Sequence, residues 1–310
     1  MCGIILYTKI SITIMVNKVK KMNFKRYRQS VSLLLFFLII VFLPLHSLAN
    51  IKTPDEHIVS LNEIESLSIN VKFGIGEINL GSGRDSIFEA RFYYEDGILK
   101  PNIIFDVFEK NGLLELSQTI RKDIGLLFSL QNLWDIKLPS NIPLKIKMNT
   151  ATCHGKIDLS NIQVEEFFLL SGASDTSILF NQPNKVHLKK INIKTGASSL
   201  SIFGLANANF SKMDFIGGAG KYTFDFSGIL KTKSEIKIDV GAAKVVLKIP
   251  INYGTRIKFP RFLTTNLKIM DFVKINEQVY VNHEYGRKNE EFDIEINGPF
   301  LDIEVVSLSD

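Results

Sequence analysis

One phrase recurs along the chain at nearly constant spacing: alternating apolar and polar residues, a Gly-Ala pair, then alternation again. The copies are Phe168-Leu-Leu-Ser-Gly172-Ala-Ser-Asp, Ile191-Asn-Ile-Lys-Thr-Gly196-Ala-Ser-Ser, Met213-Asp-Phe-Ile-Gly-Gly218-Ala-Gly and Ile236-Lys-Ile-Asp-Val-Gly241-Ala-Ala. From Gly172 to Gly196, Gly218 and Gly241 the steps are 24, 22 and 23 residues. A fixed period in this range belongs to stacked repeats, where no unit buries its apolar face alone. Two degenerate copies extend the series. Gly74-Ile75-Gly76 sits between Leu67-Ser-Ile-Asn-Val-Lys-Phe and Glu77-Ile-Asn-Leu, and Cys153-His154 takes the Gly-Ala places in Thr152-Cys-His-Gly-Lys-Ile-Asp-Leu. The expectation is that each glycine supports a sheet corner at positive φ. Coils at about 4.8 Å would then pair equivalent strands above and below.

The first 49 residues read as a leader. A basic stretch (Lys20, Lys21, Lys25, Arg26, Arg28) precedes an apolar run from Val31 to Leu43, and Ser47 and Ala49 are small residues suited to a cut after Ala49. Met22 gives a leader of ordinary length, which makes residues 1–21 a mis-assigned start. The competing reading is an uncleaved membrane anchor, although the run is short of the roughly 20 residues that span a bilayer. The leader holds seven Lys or Arg and no acid, so the remainder carries 37 − 7 = 30 basic against 32 acidic residues, a net charge of −2. That balance gives no support to a nucleic-acid groove. A single cysteine, Cys153, remains after the leader, so no internal disulfide can form there.

Strict alternation in Glu235-Ile-Lys-Ile-Asp-Val, Glu291-Phe-Asp-Ile-Glu-Ile and Asp302-Ile-Glu-Val-Val predicts strands with one buried and one wet face. Asn111-Gly112 predicts a two-residue hairpin. Only Ile120 to Leu133 carries a helix-like spacing, read as a short helix or connecting loop. The fold expected is all-β: a solenoid-like stack of two-strand repeats of about 23 residues. The expected organisation is an N-terminal β region over 50–120, a connector over 121–133 and the repeat domain over 134–310.

Chemistry finds little support in the sequence. Gly74-x-Gly76 and Gly217-Gly218-Ala219-Gly220 are followed by strands, whereas phosphate-cradling loops need a helix next. His57, His154, His187 and His283 share no ligand spacing; His154 beside Cys153 has no third ligand at a recognisable interval. Asp158, Asp175, Asp214, Asp225 and Asp239 fall at different offsets from their glycines, which predicts different faces and no calcium cage. Phe215, Tyr222, Phe224, Phe226 and Phe203 read as core packing in preference to a sugar-stacking strip. The reading therefore names no catalytic, cofactor-binding or metal residue; it singles out Gly74, Gly76, Gly172, Gly196, Gly218 and Gly241 as structural turns.

Phe73-Gly-Ile-Gly-Glu-Ile-Asn-Leu, Trp134 ahead of Leu138-Pro, Gly172-Ala-Ser-Asp, Thr195-Gly-Ala-Ser-Ser-Leu, Gly204-Leu-Ala-Asn-Ala-Asn-Phe, Gly217-Gly-Ala-Gly and Asp225-Phe-Ser-Gly agree in order and spacing with one known pattern. From about Leu61 to the C-terminus the chain resembles the LiaF-like "toastrack" domains, linked to the response to cell-wall-active antibiotics. The resemblance implies an all-β, solenoid-like domain with no known catalytic residues. Two departures stand out: members tied to envelope-stress sensing carry several membrane helices before the domain, and Cys153-His154 replaces the usual small residues. The function expected is a non-enzymatic, exported scaffold or binding domain of the bacterial cell envelope, tied to envelope stress. Its partner would be an envelope protein or polysaccharide, with no cofactor, no nucleic acid, and membrane contact only through an uncleaved leader. The alternatives are a β-helical protein acting on or binding polysaccharide, and an adhesin-like surface protein.

Overall fold

The structure is a computed structural model, and it describes residues 54–94, 99–118, 131–259 and 266–309. The stretch read as a leader (1–49) and residues 121–130 of the expected connector lie outside the described residues. The chain from Thr53 to Asp310 forms one compact unit.

Three long strands carry the design: β2 (Ser66–Ser82), β7 (Pro143–Asp158) and β8 (Gln163–Leu179). Each runs through a corner, so its first half pairs in one ladder and its second half in another. β7 pairs with β2 on one side and β8 on the other, parallel throughout. Above β8 the corner breaks each coil into two strands. β9 (Lys190–Thr195), β11 (Lys212–Gly217), β13 (Ser234–Val240) and β19 (Glu291–Asn297) continue the first ladder. β10 (Ser198–Phe203), β12 (Gly220–Asp225), β14 (Ala242–Pro250) and β20 (Phe300–Leu308) continue the second. Period-2 alternation turns Ile191, Ile193, Leu200, Ile202, Met213, Phe215, Tyr222 and Phe224 into one core shared by both ladders.

Below β2 lies a coil made later in the chain. β5 (Asn111–Gln118) pairs with the first half of β2 and β6 (Asn132–Leu138) with the second, both parallel. β5 ends at Gln118 and β6 begins at Asn132, whereas β9 and β10, or β11 and β12, are separated by two residues. Asn132 and Leu133, which end the stretch expected as a connector, already belong to β6.

Antiparallel strands close both ends of the stack. β4 (Pro101–Phe108) covers β5, while β3 (Ile87–Tyr94) and β1 (Asp55–Ser60) cover β6. At the far end β15 (Gly254–Lys258) adds to β19, followed by the antiparallel β18 (Val279–Asn282) and β17 (Phe272–Lys274). β16 (Leu267–Ile269) adds to β20. These pieces fill the stretch where the repeat loosens after Pro250. The hairpin before β5 turns at Glu109-Lys110, with Glu109 at φ 56; Asn111 and Gly112, expected in the turn, open the strand instead.

The corner glycines are needed, but not for the expected reason. Among the described residues only Gly76, Gly204, Gly228 and Gly286 are glycines at positive φ; Gly172, Gly196, Gly218 and Gly241 are not. Close approach leaves no room for a Cβ at Gly172, Gly196 and Gly218, and little at Gly241. A Cβ on Gly196 would lie 2.9 Å from the Gly172 carbonyl oxygen, one on Gly218 2.8 Å from that of Gly196, and one on Gly241 3.3 Å from that of Gly218. On Gly172 it would overlap the Ala151 carbonyl oxygen outright. The amides also climb the column. Gly196 N–H donates to the Ser171 and Gly172 carbonyls at 3.1 Å each, and Gly218 to Thr195 and Gly196 at 3.0 and 3.1 Å. Gly241 donates to Gly217 and Gly218 at 3.0 and 3.2 Å.

Register also corrects the reading of Cys153-His154. Thr150 pairs with Ser171 and Thr152 with Ala173, which puts Ala151, not Cys153, beside Gly172. Phe73 pairs with Thr150 and Ile75 with Thr152, so Gly74 faces Ala151 in turn. The column therefore reads Gly74, Ala151, Gly172, Gly196, Gly218, Gly241, small at every rung.

The opposite corner is held by asparagines. Asn184 is buried; its Oδ1 accepts from Val164 N–H at 3.1 Å, and its Nδ2 donates to the Val164 and Ala208 carbonyls at 2.7 and 3.3 Å. Asn207, also buried, donates from Nδ2 to the Phe180 carbonyl and accepts from Ile229 N–H, both at 2.9 Å. Each amide links backbone of neighbouring coils, satisfying groups that would otherwise be buried without partners.

Candidate functional site: a cleft beside the corner column

The outer faces are ladders of polar side chains. Lys190 pairs with Asp214 at 2.8 Å, Lys237 with Asp239 at 3.1 Å and Lys244 with Glu304 at 3.0 Å. Arg256 holds Asp293, and that contact raises the guanidinium pKa further. Exposed pairs of this kind contribute little to stability, because water and salt screen them. Asp158 and Asp225 cap local turns, accepting from Ser160 and Ser227 N–H. The five repeat acids are thus spread over five strands, β7, β8, β11, β12 and β13. Among the described residues no three His, Cys, Asp or Glu stand where they could hold a metal ion.

The remaining candidates also disperse. His57 lies 3.0 Å from Asp55, His187 3.0 Å from Ser211 Oγ, and His283 3.1 Å from Glu284. Phe215, Tyr222, Phe224 and Phe226 are buried, with Phe215 edge-on to Tyr222 and Phe224 at 4.8 and 5.1 Å. Burial raises the Tyr222 phenol pKa, partly opposed by the Ser198 hydroxyl. Phe203 is the exception, half-exposed on the outer face of β10.

One concavity does gather chemistry. A cleft of about 600 Å³ opens beside the corner where β2, β6, β7 and β8 meet. Its wall includes Asn132, Cys153 and Ser174, with Glu77, His154 and Asp175 alongside. Of the six glycines singled out from sequence only Gly76 borders it. Gly76 sits at φ 127, and a Cβ there would strike the Asn132 backbone, so only glycine lets β2 pass this close to β6.

Strand parity divides the lining. Cys153 is 5 % exposed and points inward, whereas His154 is exposed on the opposite face of β7. The thiol and imidazole adjacent in sequence are therefore not brought together. Glu77, His154 and Asp175 lie side by side on successive rungs, Glu77 paired with His154 and His154 with Asp175.

The inner wall holds two polar atoms without partners. Asn132 donates from Nδ2 to the Ile75 carbonyl and to Gln118 Oε1 at 3.3 Å, but its Oδ1 receives no hydrogen bond. Ser174 Oγ is likewise buried and unpaired. Its neighbours are satisfied: Thr150 donates to Ser171 Oγ at 2.9 Å and Thr195 to Ser198 Oγ at 2.8 Å. Neither Asn132 nor Ser174 stood out in the sequence. Their importance depends on which rungs adjoin.

The chain is similar to several solved structures. A crystal structure of a provisionally named cell adhesion protein from Clostridium sporogenes is 23 % identical, covering 82 % of this chain and 100 % of its own, with a TM-score of 0.45. A provisionally named adhesin from Bacteroides fragilis is 12 % identical over 82 % of this chain and 98 % of its own, at a TM-score of 0.32. Another, from Parabacteroides merdae, is 9 % identical over 84 % and 95 %, at 0.28. No curated protein matches the chain. The family described as the N-terminal domain of toast_rack, DUF2154, matches residues 49–203, ending at the last residue of β10. That match spans half of the chain, takes in the long corner strands and the whole cleft wall, and places this protein in the toast_rack family.

Proposed function

We propose that this protein is an exported domain of the bacterial cell envelope that works by binding, as a scaffold or recognition module, and not by catalysis. The observation that carries the reading is the split at β7. A nucleophilic thiol needs a base within hydrogen-bond reach, and here Cys153 is sealed inward while His154 faces out. The rest of the surface supports the same view: a stack of parallel rungs presents polar ladders, and Asp214, Asp239, Asp293 and Glu304 serve ion pairs while Asp158 and Asp225 cap turns. Among the described residues no helix is long and apolar enough to cross a membrane. Export rests on the basic and apolar leader with its cut after Ala49. A part in the envelope-stress response rests on the LiaF-like phrases.

The double substitution Cys153→Ala, His154→Ala in the native host tests the reading. A binding protein keeps its envelope phenotype at normal abundance, because the surface ladders remain. Loss of phenotype with unchanged protein level and thermal stability would mean that Cys153 or His154 performs chemistry.

A further inference from the structure

We propose that the groove on the outer face around Gly81 binds a neutral oligosaccharide. It lies on the second ladder, apart from the corner cleft. The inference rests on the binding reading above and adds a site and its ligand.

The first observation is a glycine that the fold does not require. Gly81 lies inside β2 and is not at positive φ. A Cβ on Gly112, Gly155, Gly172, Gly196 or Gly218 would come within 3.1 Å of a neighbouring atom, but one on Gly81 would meet nothing closer than Lys137 Nζ at 3.8 Å. Alanine would therefore fit, and glycine inside a strand weakens it. A strand glycine without steric need is one mark of a place where a ligand approaches the backbone. Here the missing side chain deepens a groove of about 500 Å³, within the usual range for small-ligand sites.

The second observation is a wall that lies on one face. On β6, Asp135 and Lys137 alternate with buried Trp134 and Ile136; on β2, Asn79 and Gly81 alternate with buried Ile78 and Leu80. On β7, Lys156 and Asp158 flank buried Ile157. Register sets Asp135, Asn79 and Lys156 side by side on successive rungs, with Lys137 next to Gly81 and Tyr93 beside Leu133 at the β3 edge. Among the described residues no hydrogen bond or ion pair occupies the Asn79 amide, the Tyr93 hydroxyl or the Lys156 ammonium. The charges next along β3 are already matched, Arg91 by Glu56 and Glu89 by Arg84.

The chemistry of the wall selects the ligand. Lys137 and Lys156 stand against Asp135 and Asp158, so the groove holds both signs and no net charge; Lys137 and Asp135 are 3.4 Å apart. An anion would meet the aspartates and a cation the lysines, while an apolar molecule would strip water from all four. A sugar hydroxyl both donates and accepts, so a run of hydroxyls serves ammonium, carboxylate, amide and phenol together. Tyr93 and Leu133, both half-buried, leave an amphipathic edge for the C–H face of a sugar ring.

Titration calorimetry of the full chain tests this with chitotetraose as probe. The glucosamine tetramer, tetragalacturonate and tetraglycine serve as cationic, anionic and zwitterionic controls. Chitotetraose is expected to bind, and each control about tenfold more weakly or not at all, the equivalent of one lost charged hydrogen bond. Gly81→Thr fills the groove and should abolish binding with an unchanged or higher melting temperature, because β-branched residues favour strands. Lys156→Gln, at an exposed position, should weaken binding about tenfold, whereas Lys221→Gln on β12, outside the groove, should leave it unchanged. Should Gly81→Thr lower the melting temperature, Lys156→Gln alone decides. Three results would each overturn the proposal: no heat with chitotetraose at millimolar concentration, equal binding of any control, or binding undiminished by the deciding substitution. None of these bears on the host test of Cys153 and His154, so the two readings fail separately.

Discussion

Asn184→Ala is expected to destabilise the domain by about 3 kcal/mol or more. The substitution strips partners from Val164 N–H and from the Val164 and Ala208 carbonyls, at residues with no exposed surface. Each buried group left unpaired costs roughly 1–3 kcal/mol. That is a large part of the 5–15 kcal/mol that typically holds a domain together. Asn181→Ala, three residues earlier and exposed, is the control and should lie within about 0.5 kcal/mol of the parent. Urea unfolding of the three proteins decides the matter. Equal midpoints for Asn184→Ala and the parent would mean that water replaces the side-chain bonds and that the far corner is wet.

Alanine substitutions along the near corner should form a graded series. Gly172→Ala forces a methyl group into the Ala151 carbonyl and should cost about 1–3 kcal/mol, as overpacking does. Gly218→Ala and Gly196→Ala, with Cβ approaches of 2.8 and 2.9 Å, should follow at somewhat lower cost. Gly241→Ala at 3.3 Å needs only a small shift, and the lower entropy of the unfolded chain offsets part of its strain, so it should be near neutral. The order is the diagnostic. A turn requiring positive φ would penalise all four alike, and the thermal melts would then show no gradation.

Much of the fold was legible because repetition is a one-dimensional signal. The steps between Gly172, Gly196, Gly218 and Gly241 gave the coil length, and alternation in Ile236–Val240 or Phe292–Ile296 gave the buried face. Periodicity does not report which rung adjoins which. The strand at Ser66–Ser82 takes its lower neighbour from residues more than 40 positions later, and no local pattern encodes that choice. The same limit displaced the corner by two residues at Cys153. The glycine column was recognised with the wrong cause, since a close carbonyl and a positive φ select the same residue type. Asn184 and Asn207 were readable in principle: 207 − 184 = 23, the period of the repeat itself. Their bonding to backbone one coil away was not.

The cleft lay beyond sequence reasoning for a related reason. It exists because β6 pairs with the second half of β2, leaving Asn132 opposite Gly76, and because two acids from separate coils, Glu77 and Asp175, flank one histidine. Each residue alone is an ordinary strand residue. Only their lateral adjacency makes a site.

The account depends most on the corner being a hydrogen-bonded column of stacked rungs, the rigid edge on which the cleft is built. Hydrogen exchange at the amides of Gly196, Gly218 and Gly241 measures this directly. Each donates to two carbonyls of the preceding coil, so all three should exchange about a thousandfold slower than an unstructured peptide, an opening free energy of about 4 kcal/mol. Exchange at the rate of an open turn, with the flanking strand amides still protected, would contradict the column and the rigid cleft with it.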